Sequence, residues 1–271
     1  MGSIYNNFYD KNKLEIETIV IDNNSSDNTA AVIENFIKIF PYKIKFIRNN
    51  ENLGFTKGCN QGIEKSTGDY IMLLNPDTQI LEDAINTLYS FLVKNEKTGA
   101  VAPQLLTRSK KVQYSCRRFP GYRDLFFQFT LLSSLFPKSR IFSRWKMKYF
   151  DHNETREVEQ PMAAALLMRK TLFEKKLLLD DSFYMFFNDI DICKQIYEMG
   201  YNIFYLPEAK IYHKIGTSIL KDRVRMIRVW NRDCLRYFKK HDYNFFLFTL
   251  LRIGLFLSGE LRILFTKILY K

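Results

Sequence analysis

The hydrophobic positions change period several times along the 271-residue chain, and each change marks an element. LEIETIVID, residues 14–22, is dense in β-branched residues and predicts a strand ending at Asp22. NTAAVIENFIKIF follows, with Val32, Ile33, Phe36, Ile37 and Phe40 on one helical stripe. KIKFIRN predicts a second strand, TKGCNQGIEKS a short glycine-rich helix, and DYIMLLNPDTQI a strand that breaks at Asn75-Pro76-Asp77. A helix carrying Leu81, Ile85, Leu88 and Leu92 comes next, with Gly99 as its expected stop and GAVAP as a short strand. Strands with continuous apolar runs, alternating with helices, predict an α/β fold: a mostly parallel central sheet with helices on both faces. Ligands bind such sheets outside the carboxyl ends of the strands. Asp22 and Asp77 both fall on that edge.

From residue 103 the pattern shifts. RRFPGYRDLFFQFTLLSSLFPKSR joins a basic segment to an uncharged run, Leu125 to Pro137, too short to span a bilayer and suited to a buried or interfacial helix. FFNDIDICKQIYEMG predicts a helix capped by Asn188, with Ile192, Cys193, Ile196 and Met199 inside and Gly200 as its stop. Asp189 and Asp191 occupy its first turn, where the helix dipole favours acids. After residue 243 the chain reads NFFLFTLLRIGLFLSGELRILFTKILYK. On a helical wheel Arg252, Glu260, Arg262 and Lys267 fall in one half, and Leu, Phe and Ile fill the other. Such an amphipathic helical tail suits an in-plane position on an anionic membrane; the alternative is that its apolar half docks on the protein's own core.

Composition narrows the partners. At 46% hydrophobic the chain reads as globular, and its net charge of +12 needs an anionic partner. The Lys and Arg are scattered, without the aromatic-and-basic modules of nucleic-acid binders, so a membrane surface or a phosphorylated substrate is favoured and no nucleic acid is expected. Cys59, Cys116, Cys193 and Cys234 are far apart and only three histidines are present, which argues against zinc and against a disulfide framework, and for a reducing compartment. MGSIYNNFYDKNK lacks an apolar leader, and no run is long enough to predict a spanning helix.

Taken singly, Asp22 and Asp77 read as turn and cap chemistry, and His213 as a strand-end histidine bonded to backbone. NLGFTKGCNQG has neither GxGxxG nor GxxxxGK[ST] spacing, which excludes dinucleotide and P-loop readings. The segments VIDNNSSDNT, NENLGFTKGCNQGI, LLNPDT, RRFP, FFNDIDIC and MGYNIFYLPEAKIYHKIGTS, however, follow in one order from about Leu14 to Ser218. Together they resemble the family-two glycosyltransferases of the GT-A fold, in the rhamnosyltransferase-like branch.

The resemblance implies an inverting enzyme that moves a sugar, such as rhamnose, from a nucleotide-diphosphate donor to a cell-surface polysaccharide or a polyprenyl-diphosphate-linked glycan. It places Asp22, Asn24 and Asp27 on the nucleotide side and Asn52, Gly54, Asn60 and Asn75 along the donor pocket. Asp77 then binds magnesium or manganese as part of a DxD-type motif, with His213 facing the same metal. Asp189 is the catalytic base, and Asp191, Ala164 and Arg118 lie towards the acceptor. The implied division is a transferase domain over residues 1–218 and a helical, membrane-associating extension over 219–271, peripheral on the inner face of the cytoplasmic membrane. The chemistry is coherent: a departing diphosphate is stabilised by a hard cation, and an acceptor hydroxyl needs a positioned base.

Two departures from the family pattern stand out. Asn188 replaces the usual Glu beside the base, which lowers the pKa of Asp189 relative to a paired site. The family's opening strand, of the VSIIIVNYN type, has no counterpart ahead of MGSIYNNFYDKNKLEIE, which reads as the tail of the first helix. The competing expectation is therefore an N-terminally truncated, catalytically inactive remnant or glycan-binding module of the same fold. A nucleotidyltransferase is disfavoured because its glycine-rich, Arg- and Lys-bearing loop is missing.

Overall fold

The computed structural model describes residues 1–6, 14–40, 43–175, 177–214 and 222–269. The first elements are α1 (Gly2–Asn6), β1 (Thr18–Asp22), α2 (Thr29–Ile39), β2 (Ile44–Arg48) and α3 (Phe55–Lys65). Then come β3 (Tyr70–Leu74), β4 (Thr78–Ile80), α4 (Ala84–Lys94) and β5 (Thr98–Leu106). Short elements follow: β6 (Cys116–Arg117), α5 (Tyr122–Phe129), α6 (Leu132–Leu135), β7 (Arg156–Glu157) and β8 (Gln160–Pro161). The order closes with β9 (Ala165–Arg169), α7 (Thr171–Glu174), α8 (Asn188–Glu198), β10 (Asn202–His213), α9 (Arg223–His241) and α10 (Phe245–Leu269).

The larger sheet runs β3-β9-β5-β10-β4, with β7 also on β10. It is mixed: β5 and β10 are parallel, while β9 lies antiparallel between β3 and β5 and β4 runs antiparallel to β10. The parallel character expected from the alternation thus holds for β5–β10 and for the separate pair β1–β2. A strand buried on both faces is apolar throughout whichever way it runs, so its direction does not show in the pattern. Side chains alternate across the sheet as the pleat requires. Ala100, Ala102, Leu166 and Met168 pack with Ile192, Cys193 and Ile196 of α8, whereas Val101, Leu105, Ala165 and Leu167 pack with Leu88 and Leu92 of α4. Helices therefore cover both faces.

Gly99 is not the stop of α4, which ends at Lys94 with Asn95 as its C-cap. It lies inside β5, where an added Cβ would come within 2.8 Å of Tyr201 Cβ and 2.9 Å of Ile196 Cγ2. Close packing, not a turn, requires glycine there. Gly200, at φ +83°, does end α8 as expected.

Glu17 joins the two sheets at their entry. Its Oε1 accepts from the Thr67 amide, from Thr67 Oγ1 at 2.8 Å and from Gly68 N at 3.1 Å, and its Oε2 pairs with Lys45 at 3.1 Å. Burial pushes its carboxyl up, but these donors outweigh burial and hold it at about 2. Among the described residues no strand pairs with the remaining edge of β1 or of β3.

The boundary expected at residues 218/219 lies outside the described residues, as does the GTS end of the last motif. Beyond it, Cys234, Tyr237 and Phe238 of α9 and Leu251 and Leu255 of α10 share one core with Leu125, Phe183, Phe187 and Ile190. The tail is the expected single helix, and one of its charged residues is placed differently. Arg262 turns inward, donating to Asn231 Oδ1 at 2.8 Å and lying over Trp230, while most of the apolar half of α10 faces outward. The Leu125–Pro137 run forms α5 and α6, broken at Leu131, whose φ is +62°.

His152 is fully buried at a crossing of several segments. Its Nε2 accepts from Cys116 N at 3.2 Å, its Nδ1 lies 2.9 Å from Phe150 O, and its carbonyl accepts from Gln104 and Tyr205. Burial lowers its pKa against the pull of the Phe150 carbonyl and Asp151. A depressed histidine binds its proton more readily in the unfolded chain. Its stabilisation is therefore complete above about pH 6.5, the ordinary histidine value, and is lost as pH falls below it. Thermal melts should show a lower Tm at pH 5.5 than at 7.5. His152→Gln should cost about 1–3 kcal/mol at neutral pH and flatten part of that dependence; an unchanged slope would remove His152 as its source.

Candidate active site

The site is assembled at the carboxyl end of β3 and around the start of α8. The strand YIMLL ends at Leu74, Asn75 N donates to Ala164 O at 2.9 Å, and Thr78 N returns to Asn75 O at 3.2 Å. This turn presents Asp77. β10 reaches the same place through a register break. Pro103 of β5 faces Leu206 and Gln104 faces Lys210, so residues 207–209 are extra at the point where Pro103 supplies no N–H. Past the break, Ile211, Tyr212 and His213 pair with Ile80, Gln79 and Thr78. His213 therefore arrives beside Asp77, with Nε2 3.5 Å from Asp77 Oδ1.

The tautomer of His213 follows from its other nitrogen. Nδ1 lies 3.1 Å from Gln113 Oε1, a carbonyl oxygen that can only accept, so the neutral ring carries its proton on Nδ1 and a lone pair on Nε2. Burial lowers the pKa of His213, with Asp77 opposing. Two acceptors, a carboxylate and an imidazole lone pair, thus face each other, and a cation between them satisfies both. Among the described residues no cluster of three or more potential metal ligands occurs. A two-ligand set of this kind suits an ion that takes its remaining ligands from phosphate and water. Asp77 and His213 open on a cleft of about 570 Å³ lined also by Arg108, Tyr212 and Lys214.

Asp189 lies in the first turn of α8. Its Oδ1 accepts from Ile190 N at 2.9 Å and its Oδ2 from Gln160 Nε2 at 3.0 Å. The pairing of β6 with β8 sets Arg117 opposite Gln160, and Arg117 attracts the same carboxylate. Burial raises the pKa of Asp189, against Arg117 and against amides including Ala163 N. Asn188 Oδ1 accepts from Asp189 N at 2.7 Å, while its Nδ2 is buried without a partner. The capping role expected of Asn188 passes to the position before it: Phe187 holds φ +64° at the N-cap. Asp233 of α9, itself fully buried, fixes this loop by accepting from Met185 N at 3.2 Å and Phe186 N at 3.1 Å.

At the carboxyl end of β1, Asp22 is 3% exposed. Its Oδ1 accepts from Ser25 N and Oγ; its Oδ2 has no hydrogen-bond partner and lies 3.7 Å from Arg48 Nε. Asn23, rather than its left-handed neighbour Asn24, enters the polar network, joining Asn49 Nδ2 at 2.7 Å and Gly54 O at 2.9 Å. Asn52 Oδ1 accepts from Gly54 N at 3.0 Å and fixes the glycine at φ +86° ahead of α3. Asp27 Oδ1 accepts from Thr29 N at the start of α2.

Four of the expected residues have structural partners in this fold. Asn60 donates to Leu179 O at 2.8 Å, tying α3 to the chain before α8. Asp191 is fully buried and held by Lys240 at 2.8 Å, His241 at 2.6 Å and Gln195 at 2.8 Å, and it staples α8 to α9. Arg118 turns to Glu159 at 3.8 Å, and it is Arg117 that serves Asp189. Ala164, 2% exposed, acts through its carbonyl on Asn75. Arg108, Gln113, Arg117, Gln160 and Asp233 were not legible as site residues; for Arg117 the basic pair in RRFP was the available signal. A larger open depression, about 770 Å³, runs along α4 past Asp83, Lys94 and Glu208 and touches none of these residues.

A polar loop after β1, an acid just past the end of β3 and a half-buried acid at the head of α8, set on a mixed sheet with helices on both faces, form a GT-A-like fold. The model of the family described as "Glycosyl transferase family 2" matches residues 3–174, and the chain belongs to that family. It is 28% identical over 233 residues to a poly-beta-1,6-N-acetyl-D-glucosamine synthase of Staphylococcus epidermidis, covering 83% of this chain and 50% of that protein. It is 21% identical over 218 residues to the N-acetylglucosaminyl-diphospho-decaprenol L-rhamnosyltransferase of Mycobacterium tuberculosis, covering 76% and 69%. The chain thus spans about half the length of the synthase. Among solved structures, a mannosyltransferase from Pyrobaculum calidifontis in complex with GDP-Man and Mn2+ superposes with a TM-score of 0.57 at 16% identity, over 95% of this chain and 65% of that one. GalNAc-T7 with UDP, GalNAc and Mn2+ gives 0.56 at 14%, over 88% and 48%.

Proposed function

We propose that the protein is an inverting, metal-dependent glycosyltransferase that moves a sugar, such as rhamnose, from a nucleotide diphosphate to a polysaccharide or polyprenyl-diphosphate-linked acceptor. The observation that carries this reading is the stretch from Gln160 to Ala164, which joins Asp189 to the Asp77 turn and to the partner of His213. Gln160 and Ala163 hold the Asp189 carboxylate, Ala164 holds the Asn75–Asp77 turn, and Met162 lies 3.7 Å from the Gln113 amide nitrogen whose oxygen orients His213. One short segment thus couples the base to the donor-phosphate side.

Asp77 and His213 would hold magnesium or manganese, which when bound supplies Lewis-acid stabilisation of the leaving diphosphate. Arg108 and Lys214 add positive charge along the same cleft. Asp189 accepts the proton of the acceptor hydroxyl, and a single displacement at the anomeric carbon inverts it. The unsatisfied Asp22 Oδ2 is available to a donor group of the base or ribose. We divide the chain into a transferase unit over 1–218 and a helical part over 219–271 that faces the membrane, peripheral on its cytoplasmic side. Its α9 nevertheless shares the unit's core.

Nucleoside diphosphate release from a panel of nucleotide sugars, with and without EDTA, tests the reading. The expected result is turnover with Mn2+ or Mg2+ that EDTA suppresses by about 10²-fold or more, the scale of losing several kcal/mol of charge stabilisation. Nucleotide binding without any turnover would instead favour the inactive, binding-only form of the fold.

A further inference from the structure

We infer that the outward ridge of α10, extended by the exposed apolar residues of α5 and α6, is a docking surface for an anionic lipid bilayer. This rests on the membrane reading above and deepens it by assigning the surface. α10 is 25 residues long, about 37 Å at the helical rise. Phe246, Leu250, Ile253, Leu257, Leu261 and Leu264 recur on it at intervals of three or four, and each is more than half exposed. No charge interrupts them. Arg252, Glu260 and Lys267 lie on one flank of the helix, and Arg262 is turned in against Trp230 and Asn231. The opposite side is spent on the core through Leu251, Leu255 and Ile263.

The apolar surface continues sideways. Gly254 packs against Phe129 of α5, where an added Cβ would meet the ring at 3.3 Å. One turn before Phe129, Phe126 is exposed, and Leu131, Leu135 and Phe136 carry the patch through α6. Soluble proteins rarely leave so long an apolar surface uncovered. No helix among the described residues is long and apolar enough to cross a membrane, so the fitting geometry is an in-plane one.

Charge selects the occupant. Residues 222–269 contain ten Lys or Arg against four acids. On α9, beside α10, Arg225, Arg228, Arg232 and Lys239 stand exposed at spacings of 3, 7 and 14 from the first, a basic stripe along the helix. Two such surfaces brought together as a dimer would repel along their flanks, whereas anionic headgroups attract both flank and stripe.

Vesicle flotation of the full chain tests this, with phosphatidylcholine vesicles that contain or lack one quarter phosphatidylglycerol. The parent should float with the anionic vesicles. Leu257→Asp/Leu261→Asp should reduce the bound fraction at least tenfold with an unchanged melt, while Val32→Asp, at an exposed apolar site on α2, should leave it intact. Arg228→Ala/Lys239→Ala should weaken binding several-fold per charge removed, with a smaller dependence on salt. Equal flotation of the Leu257/Leu261 variant, or no flotation of the parent, overturns the inference. So does a lipid-free dimer that the same variant dissolves, because a second copy then covers the ridge. UDP and dTDP binding with Mn2+ is measured in the same samples: its absence in a parent that floats would sink the transferase reading and leave the surface standing.

Discussion

Asp189→Asn is expected to lower kcat for sugar transfer by about 10²–10⁴-fold while nucleotide binding with Mn2+ is nearly unchanged. The substitution keeps the shape and the bond from Ile190 N but removes the charge that accepts a proton. The proposed base sits where opposing effects meet. Burial raises its pKa, and Arg117, the Ile190 amide and the Ala163 amide pull it back. Activity should therefore fall on the acid side as pH drops through that raised value, because the carboxylate is lost. Arg117→Met removes the attraction and should move this acid limb to higher pH, with a smaller loss at alkaline pH. A purely structural arginine would lower activity evenly across the profile. If Asp189→Asn retains transfer, or the limb does not move in Arg117→Met, the assignment of the base fails. Asn188 matters here too, since a neutral side chain in its place leaves Asp189 without the neighbouring charge that would raise its pKa further.

Much of this site was readable in the chain, and what was not has a common cause. Asp77, His213 and Asp189 lie in contiguous motifs, and their secondary structure follows from local signals: an apolar run broken by Asn-Pro, a strand end, a first helical turn. The partners that orient them come from elsewhere. Gln113 reaches His213 from 100 residues away, Gln160 reaches Asp189 from 29, and Asp233 reaches Met185 from 48. Two-residue strands such as β6 and β8 carry no periodicity, yet their register is what sets Arg117 and Gln160 side by side. The antiparallel insertion of β9 was hidden because an all-apolar strand has no polar face to reveal its direction. Asp191 shows the converse. Its place in a first turn beside Asp189 suggests a site residue, and nothing local announces its partners His241 and Lys240, which come from α9. On α10 the charged half predicted by the wheel loses only Arg262, which turns inward to stack on Trp230, a partner 32 positions away that no periodicity reveals, while the apolar ridge faces outward.

Asp77→Asn should reduce turnover by about 10³-fold, the equivalent of several kcal/mol of lost charge stabilisation, and should abolish measurable Mn2+ binding in the presence of nucleoside diphosphate. The pairing of Asp77 with His213 makes a sharper version of this result available. Nε2 presents a lone pair to the Asp77 carboxylate only while Gln113 Oε1 accepts the Nδ1 proton. Gln113→Leu removes that acceptor without touching either facing atom. The ring is then free to carry its proton on Nε2, where it donates to Asp77 at the distance now occupied by two acceptors. Mn2+ affinity, read by titration calorimetry or by the manganese spin-resonance signal, should fall about 10–100-fold, the range for partners that orient a ligand. Gln113→Glu keeps the acceptor and should retain most of the affinity. Were Gln113 only a packing residue against Met162, Leu would be the better tolerated of the two. The order of the two variants therefore separates a residue that fixes a tautomer from one that fills space.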